Sequence, residues 1–178
     1  MKNILNITFC ALLAVGMMAC GGKKLTEDDL KKAESTLMDE NGEFKKEKAD
    51  EVSKMFCQYV EQNPSGENAP EWLFKAMQIE IKAEHPEKAI ELEKQLEDDY
   101  PDYKNTPAAM LFLANYVYDS QLHDLDQAKA VYERIVDKYP DSELIPTVEK
   151  CIEYLGLTPE EILTKIGMSQ MEEVEGEF

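Results

Sequence analysis

Six of the eight prolines in the chain form three pairs with one internal spacing, and this regularity constrains the fold more than any other feature. The members of each pair are six residues apart, and the pairs recur after 37 and then 39 residues: Pro64 and Pro70, Pro101 and Pro107, Pro140 and Pro146. Proline stops a helix but is tolerated in its first turn, so each pair predicts the end of one helix and the start of the next. Periods of about 33 to 47 residues are typical of helical repeats.

The residues that precede each first proline repeat a second pattern. Three positions are spaced by four and three residues, and the proline follows five residues later: Val52, Phe56 and Tyr59; Ala89, Glu93 and Leu96; Ala128, Tyr132 and Ile135. Such spacings place side chains on one face of a helix. The intervening helices carry a large, small, large series: Trp72, Ala76 and Ile79, then Met110, Ala114 and Val117. Both patterns predict helix pairs that approach closely at small residues.

These motifs resemble the tetratricopeptide repeat, whose second helix carries alanine, an aromatic residue, alanine and proline at the same intervals. The resemblance covers residues 45–155 and implies an all-α fold, a right-handed superhelical solenoid of antiparallel helix pairs. The departures include Glu93, which stands where the family has an aromatic side chain. A helical bundle without repeat order is the alternative interpretation.

Helix start and stop signals place this tetratricopeptide-like domain at residues 26–166. Capping residues and prolines predict eight helices, at 26–39, 45–62, 70–83, 86–100, 107–121, 125–139, 146–155 and 159–166. The last residues, 167–178, are rich in acids and have little apolar surface. We therefore expect a disordered acidic tail there.

The N-terminus has the order of a secretory signal, with a short positive start, an apolar stretch and small residues before a cysteine. Residues 17–20 resemble the lipobox of bacterial lipoproteins. The resemblance implies that residues 1–19 are removed as a signal peptide, that Cys20 is lipidated, and that residues 20–25 form a linker. An ordinary secretory signal and an uncleaved anchor are the alternatives. The apolar stretch at 4–19 is shorter than the roughly 20 residues that span a bilayer.

The residues after Cys20 bear on location. By resemblance to bacterial sorting rules, the absence of aspartate after Cys20 favours the outer membrane. Lys23 and Lys24 are basic, unlike the acidic residues that direct some lipoproteins to the cell surface, so we expect the periplasmic side. The whole chain resembles small tetratricopeptide-repeat lipoproteins of Gram-negative bacteria.

Charge and composition exclude several functions. The chain has 37 acidic and 19 basic residues, a formal charge of -18, so nucleic acid is not an expected partner. No metal-ligand spacing, phosphate-binding glycine loop or catalytic constellation is visible, and we predict no metal, no cofactor and no enzyme activity. His85 and His123 lie in equivalent turns, where a metal site is conceivable, but we expect both to be exposed turn residues.

In tetratricopeptide proteins the first helices line a concave groove that holds peptides or partner domains. The resemblance places six residues of this chain in such a groove: Leu73, Met77, Glu80, Leu111, Asn115 and Tyr118. The alternative is that Leu73, Met77 and Leu111 belong to the core. A basic or apolar segment fits best as partner.

These inferences combine into a prediction of function. We expect a membrane-anchored periplasmic scaffold for protein–protein interaction, lipid-anchored in the outer membrane, with an unknown envelope protein or peptide as partner. An accessory role in outer-membrane or envelope assembly is consistent with this location. The alternative is a lipoprotein that captures a glycan or peptide ligand for uptake.

Overall fold

The computed structural model describes residues 24–175, with side chains for residues 24–167, and its regular elements are helical. The predicted all-α class is therefore confirmed for this part of the chain. Apart from the helices, these residues contain an isolated bridge between Met38 and Phe44. None of the described helices is both long enough and apolar enough to cross a membrane. The predicted signal peptide 1–19 and Cys20 lie outside the described residues.

Eight α-helices and one π-helical segment follow one another along the described chain. They are α1 (Glu27–Ser35), α2 (Lys46–Gln62), α3 (Ala69–Lys82), α4 (Pro86–Asp99), α5 (Thr106–Phe112), the π segment (Leu113–Gln121), α6 (Leu125–Lys138), α7 (Ile145–Tyr154) and α8 (Pro159–Glu175). The last helix continues beyond its predicted end at 166, so residues 167–175 are helical although a disordered tail is predicted there. Methionine, glutamine and glutamate are frequent in this stretch and favour helix intrinsically, which an argument from apolar surface alone overlooks.

Local chemistry explains where the helices begin. At α1 the Asp29 N–H donates to the Thr26 hydroxyl, and the Thr26 N–H donates to the Asp29 carboxylate, which closes a capping box. At α6 the Gln127 N–H donates to the Asp124 carboxylate at 3.0 Å. Prolines lie in the first turn of five helices, where the backbone N–H that proline lacks would have no partner within the helix. They are Pro70, Pro86, Pro107, Pro146 and Pro159.

The repeat positions found in the sequence form the core. Of the nine side chains that precede the prolines, eight are at most 3% exposed, and Tyr59 is half-buried. Consecutive helices pack against each other from α1 to α7. Where α3 crosses α2, the rings of Trp72 and Phe56 meet edge to face with centroids 4.9 Å apart. Two apolar clusters result, a first around α1–α5 and a second around α5–α7.

The spacing between equivalent buried residues changes between α5 and α6. Buried positions recur after 38 residues on the first helices, from Trp72 to Met110, but after 39 residues on the second helices, from Ala89 to Ala128. The chain from Met110 to Ala128 is therefore one residue longer than the equivalent stretch from Trp72 to Ala89. The π segment lies in this interval, and a π-helix has a wider turn than an α-helix.

Backbone hydrogen bonds locate the insertion. After α3 the His85 N–H donates to the Glu80 carbonyl, five residues earlier, at 2.9 Å. The equivalent bond after the π segment runs from the Asp124 N–H to the Tyr118 carbonyl, six residues earlier, at 2.7 Å. The π segment thus contains the extra residue, and the positions before and after it are buried as their counterparts around α3 are.

The turns before α4 and α6 have the same backbone shape. Glu84 and His123 both adopt a left-handed conformation, with φ of 64° and 54°. His85 and Asp124 follow them as N-cap residues. His85 and His123 therefore lie in equivalent turns as predicted, but one position apart, because of the inserted residue.

Deleting Ser120, an exposed residue of the π segment, tests this assignment. We expect the segment to close into an α-helix like α3, and the melting temperature to change by less than about 4 °C. The matched control deletes Gln78 from α3, which has no extra residue. That deletion rotates the rest of α3 by about 100° and should lower the melting temperature by more than about 10 °C. Circular dichroism melting compares the two, and equal losses would contradict the assignment.

Candidate interaction groove

The structure places three of the six predicted groove residues inside the protein. Leu73 and Met77 have no exposed surface, and Glu80 is 2% exposed. All three lie on α3, which packs against both α2 and α4, so this face of the helix is covered. The prediction that they line an open groove is wrong, and the alternative of core positions is correct for Leu73 and Met77.

The other three predicted residues are half-buried and serve contacts between helices. Leu111 packs against the second core cluster. The Asn115 Oδ1 atom accepts a hydrogen bond from the Tyr132 hydroxyl of α6 at 2.6 Å. Tyr118 lines a cavity between α4 and α6. The fold therefore does not bring the six predicted residues together on one open surface.

The open side of α3 follows a different stripe, whose residues are half-buried or exposed: Glu71, Lys75, Gln78 and Lys82. Two cavities adjoin on this side and share Gln78 and Lys82. One, of about 300 Å³, extends towards α1 and is also lined by Glu34, Leu37, Met38, Phe44, Lys75 and Ile79. The other, of about 350 Å³, extends towards the π segment and is also lined by Ile81, Glu84, Phe112, Tyr116 and Gln121. We call the two cavities together the first-helix groove.

Aromatic side chains form the wall of the groove near the π segment. The rings of Phe112 and Tyr116 stack with centroids 5.5 Å apart and planes inclined by 22°. Phe74 meets Phe112 edge to face at 6.0 Å. Tyr116 is nevertheless 50% exposed. Exposed aromatic surface of this kind, with a polar group at one end, is frequent at binding surfaces.

The sequence contains a signal for this wall. Phe74 and Phe112 are separated by the same 38 residues as the buried positions Trp72 and Met110. Phe112 and Tyr116 are four residues apart and so share a helix face. Family resemblance does not indicate these aromatics, because it assigns groove positions by the repeat motif and not by this interval.

Polar groups in the groove are only partly used. The Gln121 Nε2 group donates to a carbonyl of α3 at 2.9 Å, whereas its Oε1 atom is buried and accepts no hydrogen bond. The Lys82 ammonium lies 4.8 Å from the ring centre of Phe44. Lys75 pairs with Glu34 at 2.9 Å. A bound segment would therefore meet apolar walls and one ammonium group, and it would reach the buried Gln121 acceptor after a shift of that side chain.

A polar cluster joins α2, α3 and α4 outside the groove. Possible ligand atoms of Asp50, Glu80 and His85 lie within 4.8 Å of one another, a set of residue types that could hold a metal ion. The Lys88 ammonium already lies 2.6 Å from the Asp50 carboxylate and 3.9 Å from that of Glu80. His85 Nδ1 lies 2.7 Å from the Glu80 carboxylate. We interpret the cluster as an ion-pair network that makes burial of Glu80 possible.

Glu93 is a second buried carboxylate, 3% exposed on α4. Burial raises the pKa of Glu93 to about 7. Arg134 and Lys138 of α6 oppose this rise in pKa, whereas Glu97 and Asp98 add to it. The Arg134 Nη2 atom lies 3.6 Å from the Glu93 carboxylate, which is too long for a good hydrogen bond.

Of these features, the first-helix groove has the geometry to bind a partner segment, since it joins exposed aromatic surface to an unused acceptor. In the two buried carboxylate clusters, protein cations already lie beside the acids. The sequence matches no protein-family model, and comparison with curated proteins finds no significant match.

Replacing Glu93 with leucine tests the effect of its buried charge. Because folding raises the Glu93 pKa from 4.5 to about 7, the wild-type protein loses stability as the pH increases between these values. We expect Glu93→Leu to increase the free energy of unfolding by about 1–3 kcal/mol at pH 8, and by less at pH 5. Denaturant titration at both pH values measures the difference.

The control for this variant is Glu97→Gln, which changes a half-buried carboxylate beside the same Arg134. We expect Glu97→Gln to give no increase in stability at either pH. A gain from Glu93→Leu that is equal at pH 5 and pH 8 would contradict the role of ionisation.

Proposed function

We propose that the protein is a membrane-anchored periplasmic scaffold that binds a partner protein or peptide in the first-helix groove. The observation that carries this proposal is the exposed aromatic wall of Phe112 and Tyr116 beside the unused Oε1 atom of Gln121. Aromatic side chains provide large contact areas at a small cost in conformational entropy. A peptide N–H can donate to the Gln121 Oε1 atom once this half-buried side chain shifts to expose it. The groove therefore suits a segment that presents apolar side chains and free backbone groups.

For the arrangement of the helices we propose the right-handed superhelical solenoid of antiparallel pairs that the tetratricopeptide resemblance implies. The burial of equivalent side chains in successive pairs, such as Phe56 and Tyr132, supports this arrangement. In an array of pairs the first helices lie side by side and form one continuous surface. A groove lined by α1, α3, α5 and the π segment fits such a surface.

The proposed partner is an apolar segment of an envelope protein. Most charges near the groove are compensated, because Lys46 pairs with Glu84 at 2.7 Å and Lys75 pairs with Glu34. Lys82 adds one ammonium group that can bind a carbonyl or carboxylate of the partner. Away from the groove, the formal charge of -18 favours a partner whose surrounding surface is basic.

The proposed membrane anchor is a lipid on Cys20. Residues 20–25 are six in number and extend to about 20 Å at most, so the linker would hold α1 close to the membrane surface. This arrangement suits an accessory factor that meets its partner at the periplasmic side of the outer membrane. It is consistent with a role in outer-membrane or envelope assembly.

Cys20→Ala tests the anchor in cells. We expect the variant to leave the membrane fraction and to lose labelling by a palmitate analogue, because it can carry no acyl chain on residue 20. Fractionation with immunoblotting measures this. Cys57→Ala serves as control, since Cys57 lies on α2 and should not affect the anchor. Retention of Cys20→Ala in the outer membrane would show that the proposed anchor is wrong.

A photo-crosslinking amino acid at Tyr116 tests the groove. We expect it to capture a defined envelope protein in intact cells, identified by mass spectrometry, and Phe112→Ala to reduce the yield about tenfold. The control position is Glu133 of α6, whose side chain is 58% exposed outside the groove. Identical crosslinks from Tyr116 and Glu133 would contradict docking in the groove.

A further inference from the structure

Glu93 stands at a position where the neighbouring helix pairs bury an aromatic ring. Phe56 precedes it by 37 residues and has no exposed surface, and Tyr132 follows it by 39 residues and is 1% exposed. A carboxylate side chain is smaller than either ring, so the exchange leaves space that the ring fills elsewhere. Glu93 lines a cavity of about 350 Å³ between α4, the π segment and α6, which is partly open to solvent.

The cavity has an apolar floor and a lining of balanced charge. Leu113 and Val131 contribute to the floor. Three acidic and three basic side chains also line the cavity: Glu93, Glu97, Asp98, Lys94, Arg134 and Lys138. Because these charges cancel, the cavity has no formal preference for an anion or a cation.

Two buried polar atoms in this cavity have no hydrogen-bond partner among the described residues. They are the Oε1 acceptor of Glu93 and the Nε–H donor of Arg134. The Arg134 Nη2 atom lies 3.6 Å from Glu93 and 3.4 Å from Glu97, so the ion pairs leave the Nε–H group unused. Arg134 is the only arginine among the 19 basic residues of the chain. The planar arginine fork is suited to planar polar groups, which lysine cannot bind in the same way.

From this geometry we infer a binding site for a neutral amide group. Both atoms have less than 1 Å² of accessible surface, so an amide reaches them only when the Arg134 side chain, which is 38% exposed, shifts. The amide carbonyl then accepts from the Arg134 Nε–H group, and the amide N–H donates to the Glu93 Oε1 atom. A carboxylate offers no donor to Glu93, and an ammonium group offers no acceptor to Arg134. The amide belongs either to an asparagine or glutamine side chain of a peptide or to an N-acetyl group, and its apolar part lies on the floor of the cavity.

This amide site shares no lining residue with the first-helix groove. The proposal therefore does not rest on the function proposed for the groove. Binding at either site can be lost while binding at the other remains.

Three probes of the same shape test the site: acetamide, acetate and acetamidinium. They are titrated into the full chain, labelled with ¹⁵N, at pH 8, above the pKa of Glu93. The single arginine gives a single Nε–Hε signal, which reports directly on Arg134. We expect acetamide to shift this signal with a Kd of about 10 mM, and the two charged probes to bind at least tenfold more weakly. Equal shifts by all three probes would overturn the proposal. The absence of any shift would also overturn it, because water alone then satisfies both atoms.

Variants separate the amide site from a general effect on the fold. Glu93→Leu removes the acceptor, and Arg134→Lys removes the planar fork. Both should weaken acetamide binding at least tenfold, followed through the backbone amide signal of Val131. Glu133→Gln, which changes an exposed carboxylate of α6 outside the cavity, should bind as the wild type does. Unchanged binding by Glu93→Leu would overturn the proposal.

Larger probes distinguish the two sources of the amide. N-acetylglucosamine represents the N-acetyl group, and the tripeptide glycyl-glutaminyl-glycine represents a glutamine side chain. The probe that represents the natural ligand should bind at least tenfold more tightly than acetamide, because it makes further contacts with the charged side chains that line the cavity. If neither probe binds more tightly than acetamide, the cavity is not a site for a ligand of this class.

Discussion

The close approach of neighbouring helices at small buried side chains determines the rest of the structure. Ala76 and Ala114 on the first helices have no exposed surface, and the same is true of Ala89 and Ala128 on the second helices. With only a methyl group at these positions, the helix backbones approach closely enough for larger neighbours such as Trp72 to interlock. This packing fixes the rotation of each helix about its axis. The rotation of α3 in turn decides which of its stripes stays open as the first-helix groove.

Spacing within the sequence predicts the helical class and most helix boundaries because prolines, caps and turns act within a few residues. It does not predict which neighbour covers a given face. For α3, both α2 and α4 pack against the helix, so Leu73 and Met77 are core residues although family resemblance places them in a groove. Glu80 is buried although it is charged. Its burial depends on partners from other elements, and only the folded structure brings His85 and Lys88 to it.

Glu93, which replaces the aromatic residue of the repeat pattern, shows how much of such a departure can be predicted from the sequence. The missing aromatic ring is visible at once, but its consequences depend on Arg134, which lies on α6. Buried carboxylates occur on both α3 and α4, and each lies beside a cation on a following helix. Such pairs add little to stability, since desolvation offsets most of the attraction. They do make one register between neighbouring helices more favourable than others, because a shifted register would leave a carboxylate buried without its cation.

The π segment has a consequence for how the molecule loses its structure. Leu113 and Val117 belong to the first apolar cluster, whereas Ala114, between them in sequence, belongs to the second. The extra residue of the π turn therefore lies in an element that forms a wall of both clusters. If either cluster melts, this wall is released and the other cluster is opened to water. We therefore expect the helices on the two sides of the π segment to open as one cooperative unit, so that local opening at one end weakens protection of the backbone at the other.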